Sequence, residues 1–241
     1  MPWYYAVAER DHEIQNPTSA EKIVLLGRYL RLGPDSRVLD LACGKAGPAA
    51  LLASTYGCRV HGIERSPDFV EAAREHVDEI GVGHLVEIVE ADAQAYPLEP
   101  EAWDAILVLG ATFVWDGLPG TIAAVAPGVG PGGHVVVGEP YWREWPLPRG
   151  IDDLGYVSLH ETARRFEDAG LALVALVASS EDDWDRYESL HWRALEEWLA
   201  EHPNDPDSHE IRERHEQYRD DYLSHQRELL GWAILAGRKA P

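Results

Sequence analysis

The stretch Arg37-Val-Leu-Asp-Leu-Ala-Cys-Gly-Lys-Ala-Gly47 decides the fold. Val38, Leu39 and Leu41 form an apolar run that predicts a buried strand. Ala42, Gly44, Ala46 and Gly47 follow; they carry little or no side chain, so backbone can come close to a ligand. Leu51 and Leu52 lie on the helix predicted next. A strand, a small-residue turn and a helix N-terminus make a nucleotide site, because the first N–H groups of a helix have no partner within it. Asp40, at the end of the strand, limits which nucleotide.

Outward from this turn the chain alternates. Residues 59–63 read as a second strand ending in Glu64, and 84–89 as a third, closed by Glu90-Ala-Asp-Ala93. Residues 103–109 read as a strongly apolar fourth strand, 132–138 as a fifth and 171–178 as a sixth. Helices are predicted at about 18–32, 47–57, 66–80, 118–126 and 158–169, the first capped by Thr18 or Ser19 and the third opened by Pro67. Such alternation predicts a parallel sheet covered on both faces. The fifth strand is expected to stop before Glu139-Pro-Tyr-Trp142, with a loop over 143–157.

The pattern breaks at 182–229, which reads as two long helices joined at Pro203-Asn-Asp-Pro206; a last strand follows at 231–236. The hairpin carries Trp184, Tyr187, His191 and Trp198, and reads either as a packed helix pair or as a lid over a substrate. The expected organisation is a Rossmann-like α/β domain made of 1–181 and 230–241, with 182–229 inserted as a substrate cover. Residues 1–32, with Trp3, Tyr4 and Tyr5 near the start, form an N-terminal lid segment and helix.

With 45% hydrophobic residues among 241, the chain can bury a sizeable core. Its 42 acids against 21 bases give a net charge of -21, which repels phosphate backbones and anionic headgroups and disfavours nucleic acid or membrane as partner. Cys43 and Cys58 make no disulfide framework and fit a reducing cytoplasm. The opening MPWYYAVAERDHE does not read as a signal peptide, and no apolar run reaches membrane-span length.

Ala42-Cys-Gly-Lys-Ala-Gly47 fits a loose form of the dinucleotide fingerprint. A pyrophosphate beside Asp40 would meet a like charge, whereas a ligand carrying an ammonium and a sulfonium would be favoured. S-adenosylmethionine is that ligand. Glu64, 20 residues past Gly44, can accept ribose hydroxyls, a feature shared with NAD sites. Asp92 can accept from the adenine amino group. Three acids at successive strand ends favour the sulfonium ligand, with an NAD-dependent enzyme as the alternative.

The segments VLDLACGKAG, GIERS and EADAQAYP resemble, in order and spacing, the motifs of class I S-adenosylmethionine-dependent methyltransferases, over about residues 20–180 and the last strand. The resemblance implies a doubly wound, mostly parallel seven-stranded sheet whose last strand, GWAILAGRK, is antiparallel. It is closer to a group of small bacterial methyltransferases of poorly defined substrate, through His12-Glu-Ile-Gln-Asn-Pro17, the GEPYWR of Gly138 to Arg143 and the WDRYE of Trp184 to Glu188. It places Asp40 near the methionine amino group, Gly44 under the ribose and methionine, and Glu64 on the ribose hydroxyls. Asp92 and Ala93 meet adenine, and the Leu109 carbonyl lies near the methionine ammonium. Ala42 and Arg65 complete the implied cofactor set. Two departures are Ala42 and Ala46, which replace the outer glycines of the turn; Lys45 is expected to point to solvent.

Methyl transfer from a sulfonium is an in-line displacement with an activated leaving group, so positioning does most of the work and a base is needed only where the nucleophile must lose a proton. The acceptor is expected beyond strands four and five, under the inserted helices, as a small molecule offering nitrogen or oxygen. Trp115, Trp142 and Tyr187 are aromatic candidates there, and His12, Glu139, Tyr141 and His191 are the candidate catalytic residues. Glu139 reads as a base, an ammonium holder or a loop-end ion pair, and His12 as a base or a local cap. An aromatic, acidic pocket favours an amine, a quaternary product or a flat heterocycle. Leu109-Gly-Ala-Thr112 replaces the N/D-P-P-Y/F of amino-group methylation of adenine or glutamine, and no Pro-Cys nucleophile is present. The eleven histidines show no metal-ligand spacing, so no metal is expected. A non-catalytic binding module is the rival of a different class.

Overall fold

The computed structural model describes residues 4–241; Trp3, read above as part of an aromatic N-terminal segment, lies outside them. A short helix α1 (Tyr4–Ala8) leads through an irregular strap to α2 (Ala20–Tyr29). Ser19 caps α2, its hydroxyl accepting from Lys22 N. The units β1 (Arg37–Leu41), α3 (Gly47–Tyr56), β2 (Arg59–Glu64), α4 (Pro67–Glu79), β3 (Val86–Glu90), β4 (Trp103–Leu109), α5 (Leu118–Val125) and β5 (Val129–Trp142) follow. The chain continues with α6 (Leu159–Asp168), β6 (Ala172–Ala178), α7 (Glu181–Glu201), α8 (Ser208–Asp221), a short α9 (Arg227–Leu229) and β7 (Leu230–Arg238).

The seven strands form one sheet in the order β3-β2-β1-β4-β5-β7-β6, with β7 antiparallel to both neighbours. Strand order reverses between β1 and β4, which opens a crevice at their carboxyl ends, where open α/β sheets bind ligands. Val38, Leu107, Val136 and Ile234 bury one face against α2, α3 and α4. Leu39, Ile106, Val137 and Leu235 bury the other against Leu118, Ile122 and Phe166 of α5 and α6. A third small core joins Tyr4 and Ala8 to Leu195, Leu199 and Ile211.

Two boundaries differ from the sequence reading. β5 does not stop at Gly138: it runs on through Glu139-Pro-Tyr-Trp142, paired with β7 through Trp142↔Leu230. Its pairing with β4 ends at Leu109↔Gly138, so beyond that point Pro140 lies on an edge and removes no bond from a β4 ladder. The third strand begins at Val86, because Leu85 N and Val86 N both close a turn onto Val82 O, at 2.8 and 3.0 Å.

After β6, Ser180 starts α7 with a capping box: its hydroxyl accepts from Asp183 N (3.2 Å), and the Asp183 carboxylate accepts from Ser180 N (2.8 Å). His202, just ahead of Pro203, ends the helix. A π-helical turn at Tyr222–Gln226 separates α8 from α9. Arg227 clasps Asp185 through two bonds of 2.9 Å, fixing the end of this helical segment to the start of α7. Among the described residues no helix is long and apolar enough to cross a membrane.

The glycine turn carries a local cost. Ala42, Gly44 and Ala46 all stand in the left-handed region, with φ of 58°, 57° and 60°. An L-residue loses about 1–2 kcal/mol there, against about 0.5–1 kcal/mol of extra chain entropy for glycine. Ala46 is fully buried, so its methyl group packs and offsets the strain, whereas Ala42 is only half-buried. Ala42→Gly should therefore raise stability by roughly 0.5–1 kcal/mol, read as a higher urea midpoint; a lower midpoint would show that the methyl group contributes more than the strain costs.

Candidate functional site

The turn between β1 and α3 is fixed by the end of β2. Glu64 is buried, and its Oε2 accepts from Gly44 N at 3.0 Å. Its Oε1 accepts from Arg65 N and Ser66 N, both at 2.9 Å. Three donors fill three of the roughly four lone-pair sites of a carboxylate. Glu64 is thus first an anchor of the turn, with about one site left for a ligand hydroxyl rather than two.

Asp40 sits on the neighbouring strand, paired in register with Gly62 of β2 and Leu107 of β4. It is 2% exposed and its Oδ2 has no hydrogen-bond partner. Burial, followed by the charge of Glu64, pushes its carboxyl up to about 7. An unpartnered buried carboxyl beside a second acid is what a cationic ligand would relieve, so the residues present fit the sulfonium and ammonium of S-adenosylmethionine.

The strap between α1 and α2 lies directly on this turn. A Cβ built on Gly44 would fall 2.2 Å from Gln15 Oε1, and one on Gly47 would fall 2.0 Å from the Glu13 carbonyl. Gln15 Oε1 accepts from Lys45 N at 2.6 Å. Asn16 Nδ2 donates to the Leu109 carbonyl at 3.3 Å, the group that the family resemblance sets near the methionine ammonium. Lys45 does not point to solvent: its ammonium donates to the carbonyls of Glu9 (2.8 Å) and Arg10 (3.0 Å), which leave the end of α1 with acceptors to fill. Gln15 and Asn16, which belong to the quoted His12–Pro17 motif but are not among the residues predicted for the site, thus contact the turn and the end of β4.

At the far end of the crevice Asp92 is exposed, one oxygen accepting from Gln94 N at 2.9 Å. Ala93 lines a narrow cavity of about 70 Å³ with Leu41, Gln94, Tyr96, Leu98 and Trp115. The Arg65 side chain is exposed, and its part in the turn is played by its backbone N–H.

The four catalytic candidates do not form one group. His12 and His191 lie together, ring centroids 4.5 Å apart, on the α7 side with Glu9 and Tyr187. Glu139 and Tyr141 share the opposite face of β5 with Val135 and Val137. Among the described residues no hydrogen bond or ring contact joins the two pairs. The period of a strand explains the split: residues 139 and 141 face one way, and Trp142, whose Nε1 donates to the Asp153 carbonyl, faces the other. Tyr141 packs onto Gly231, where a Cβ would fall 2.3 Å from its Cζ, so it is a wall residue. Glu139 is 4% exposed with Oε2 unpartnered; burial raises its carboxyl, partly offset by the Thr112 hydroxyl and the charge of Arg165. Burial, followed by the Glu139 charge, raises the phenol of Tyr156, a neighbour that the loop reading of 143–157 had hidden.

Comparison with known proteins agrees with this geometry. The family described as a methyltransferase domain matches residues 38–133. The uncharacterised Escherichia coli protein YjhP is 31% identical over 98% of this chain and 98% of its own length. A SAM-dependent methyltransferase from Geobacter sulfurreducens, crystallised with S-adenosylhomocysteine, superposes with a TM-score of 0.92 at 32% identity, covering 98% of both chains. A SAM-dependent methyltransferase from Thiobacillus denitrificans, also with S-adenosylhomocysteine, gives the same values. These likenesses favour the sulfonium ligand over a nicotinamide.

Asp40 yields a pH test with a definite sign. Its folded pKa is raised to about 7, so its contribution to folding is full below the ordinary carboxyl range and is lost as pH climbs to about 7. A cation binds the ionised form. S-adenosylmethionine should therefore bind roughly eightfold more weakly at pH 6 than at pH 7.5, with a proton released at the lower pH. Calorimetry in buffers of different ionisation enthalpy measures both effects, and Asp40→Asn should abolish the dependence. A wild type with flat affinity would remove Asp40 from the binding argument.

Proposed function

The chain belongs to the S-adenosylmethionine-dependent methyltransferases, and we propose that it moves the methyl group to a nitrogen or oxygen nucleophile of a small-molecule acceptor. The cofactor supplies a methyl group already activated on sulfur; the chain has to bind, orient and exclude water. We assign the cofactor to Asp40, Ala42, Gly44, Glu64, Arg65, Asp92, Ala93 and Leu109, with Gln15 and Asn16 added from the strap.

Glu139 carries the acceptor reading. It is a buried carboxylate at the carboxyl end of a central strand, one oxygen unpartnered, with its proton affinity raised by burial. Such a group can take a proton from an amine or hydroxyl as the methyl group arrives. Thr112 and Tyr156 flank it, and Tyr141 walls it on the same strand face. A small acceptor fits a carboxylate so enclosed, and the charge of -21 opposes a nucleic acid. His12 and His191 belong to a separate cluster whose chemistry differs.

The segment 182–229 serves as the cover in this reading, with 1–181 and 230–241 as the catalytic domain. Support comes from α7, which grips the strap: Arg193 donates to Asp11 at 2.9 Å, Arg10 pairs with Glu197, and Arg186 donates to the Thr18 carbonyl. A reducing cytoplasm suits the two free, buried cysteines.

Incubation with methyl-labelled S-adenosylmethionine and a fractionated extract should place label in the small-molecule fraction. Glu139→Gln should lower that transfer about 10²–10⁴-fold while leaving S-adenosylhomocysteine affinity unchanged. Label confined to protein or nucleic acid, or a Glu139→Gln variant as fast as wild type, would sink the reading.

A further inference from the structure

The cluster set aside above has an arrangement that hydrogen bonding does not account for. Glu9 and His12 stand one turn apart where α1 ends, His12 N donating to the Glu9 carbonyl at 3.1 Å, and His191 reaches them from α7. One donor atom from each lies within 4.8 Å of the others. Glu9 is 7% exposed and His12 is 2% exposed.

His12 Nε2 is 2.9 Å from the Tyr187 carbonyl, which can only accept, so Nε2 carries a proton. In the neutral ring Nδ1 is then a bare lone pair. It faces Glu9 Oε2 at 3.4 Å, and neither atom has a hydrogen-bond partner. Two buried acceptors thus confront each other. A proton shared between them, whether it leaves the imidazole charged or the carboxyl neutral, would draw them to about 2.7–3.2 Å. An ion about 2.0–2.2 Å from each, at the tetrahedral angle, holds them about 3.4 Å apart.

We propose that Glu9, His12 and His191 form a site for a divalent transition cation, zinc foremost. Glu9 Oε2 and His12 Nδ1 are two ligands as they stand. His191 Nε2, now 2.9 Å from Glu9 Oε1, is the third and exchanges that bond for the ion. Tyr187, whose hydroxyl donates to the same Oε1 at 3.0 Å, keeps the carboxylate oriented, and its carbonyl fixes the His12 ring. Two imidazoles and a carboxylate suit zinc and leave a fourth position open. At His12 the charge of Glu9 outweighs that of Lys45, so the cluster favours a cation. His191 stands 182 residues from Glu9 in sequence, and spacing along the chain could not join it to the Glu9–His12 pair. Bound there, the ion would pin the strap that overlies the glycine turn to α7.

Full-length protein, stripped with EDTA and dialysed, should bind one zinc ion per chain when titrated with zinc chloride alone. His12→Ala and His191→Ala should each weaken that binding by roughly a hundredfold. Tyr187→Phe, which keeps the ring, should weaken it by about tenfold or more. His209→Ala, at an exposed histidine, should leave it unchanged. Cobalt(II) added to the wild type should give the visible bands of a four-coordinate nitrogen–oxygen site, a readout that needs no variant. Full-strength binding in all three cluster variants would put the zinc elsewhere on this acidic surface and overturn the proposal. No zinc uptake by the wild type would overturn it too, and nitrogen NMR showing both ring protons on His12 would then assign the gap to a shared proton.

Discussion

The glycine turn holds its shape because one carboxylate gathers it. Glu64 takes the N–H of Gly44 across the turn and those of Arg65 and Ser66 at the start of α4. Each donor left unpaired in a buried place would cost about 1–3 kcal/mol, so this residue bears on fold and site together. The same carboxylate lies close enough to Asp40 to add its charge to the burial that raises that acid's proton affinity. Two acids on adjacent strands therefore divide the work: one is committed to backbone donors, and the other has an oxygen free for a ligand. A positive group beside Asp40 answers the desolvation and the like-charge repulsion at once, which is why the site suits a cationic nucleotide better than a pyrophosphate.

Most of the sheet was legible because its strands are short apolar runs punctuated by glycine, proline and acids. Val38 to Leu41 and Trp103 to Leu109 fall where periodicity puts them. The extension of β5 was hidden by Pro140, since a proline argues against a central strand and the sequence does not say that β4 has already ended there. The placement of the acids was legible because each stands at the carboxyl end of a strand: Asp40 next to last in β1, Glu64 last in β2 and Asp92 just past β3. Glu9, Gln15 and Tyr156 were not, because their roles arise from contacts across the chain: Gln15 matters through Gly44, Tyr156 through Glu139, and Glu9 through His191. Parity along β5 was available in the sequence, and it already separates residues 139 and 141 from 142; what it cannot give is the face on which His12 lands.

The strap and α7 behave as one unit. Exposed pairs such as Arg193 with Asp11 are worth little singly. The buried contacts differ: Glu9 receives Tyr187 and His191, His12 meets the Tyr187 carbonyl, and Ser179 donates to the Pro17 carbonyl. Every one of these ties a residue before α2 to β6–α7, and none involves the glycine turn. The turn in its own right holds the strap through Lys45 and Gln15, and the end of β4 holds it through Asn16.

That division has a consequence for how a ligand reaches Gly44. Gln15 stands against Gly44 so closely that not even a methyl group fits between them. A ligand placed against Gly44 on this side would take the place of the Gln15 carboxamide, and one placed against the Leu109 carbonyl that of Asn16. The bonds they give up are replaceable in kind. Lys45 N needs an acceptor, which a ligand carboxylate offers, and the Leu109 carbonyl needs a donor, which a ligand ammonium offers. Exchange of like for like keeps the cost of opening small. The ties between the strap and α7 need not break, so the strap can lift at Gln15 and Asn16 while its ends stay anchored by Glu9 and His12 on one side and Pro17 on the other. A fixed point at Glu9 and His12 makes that local motion possible.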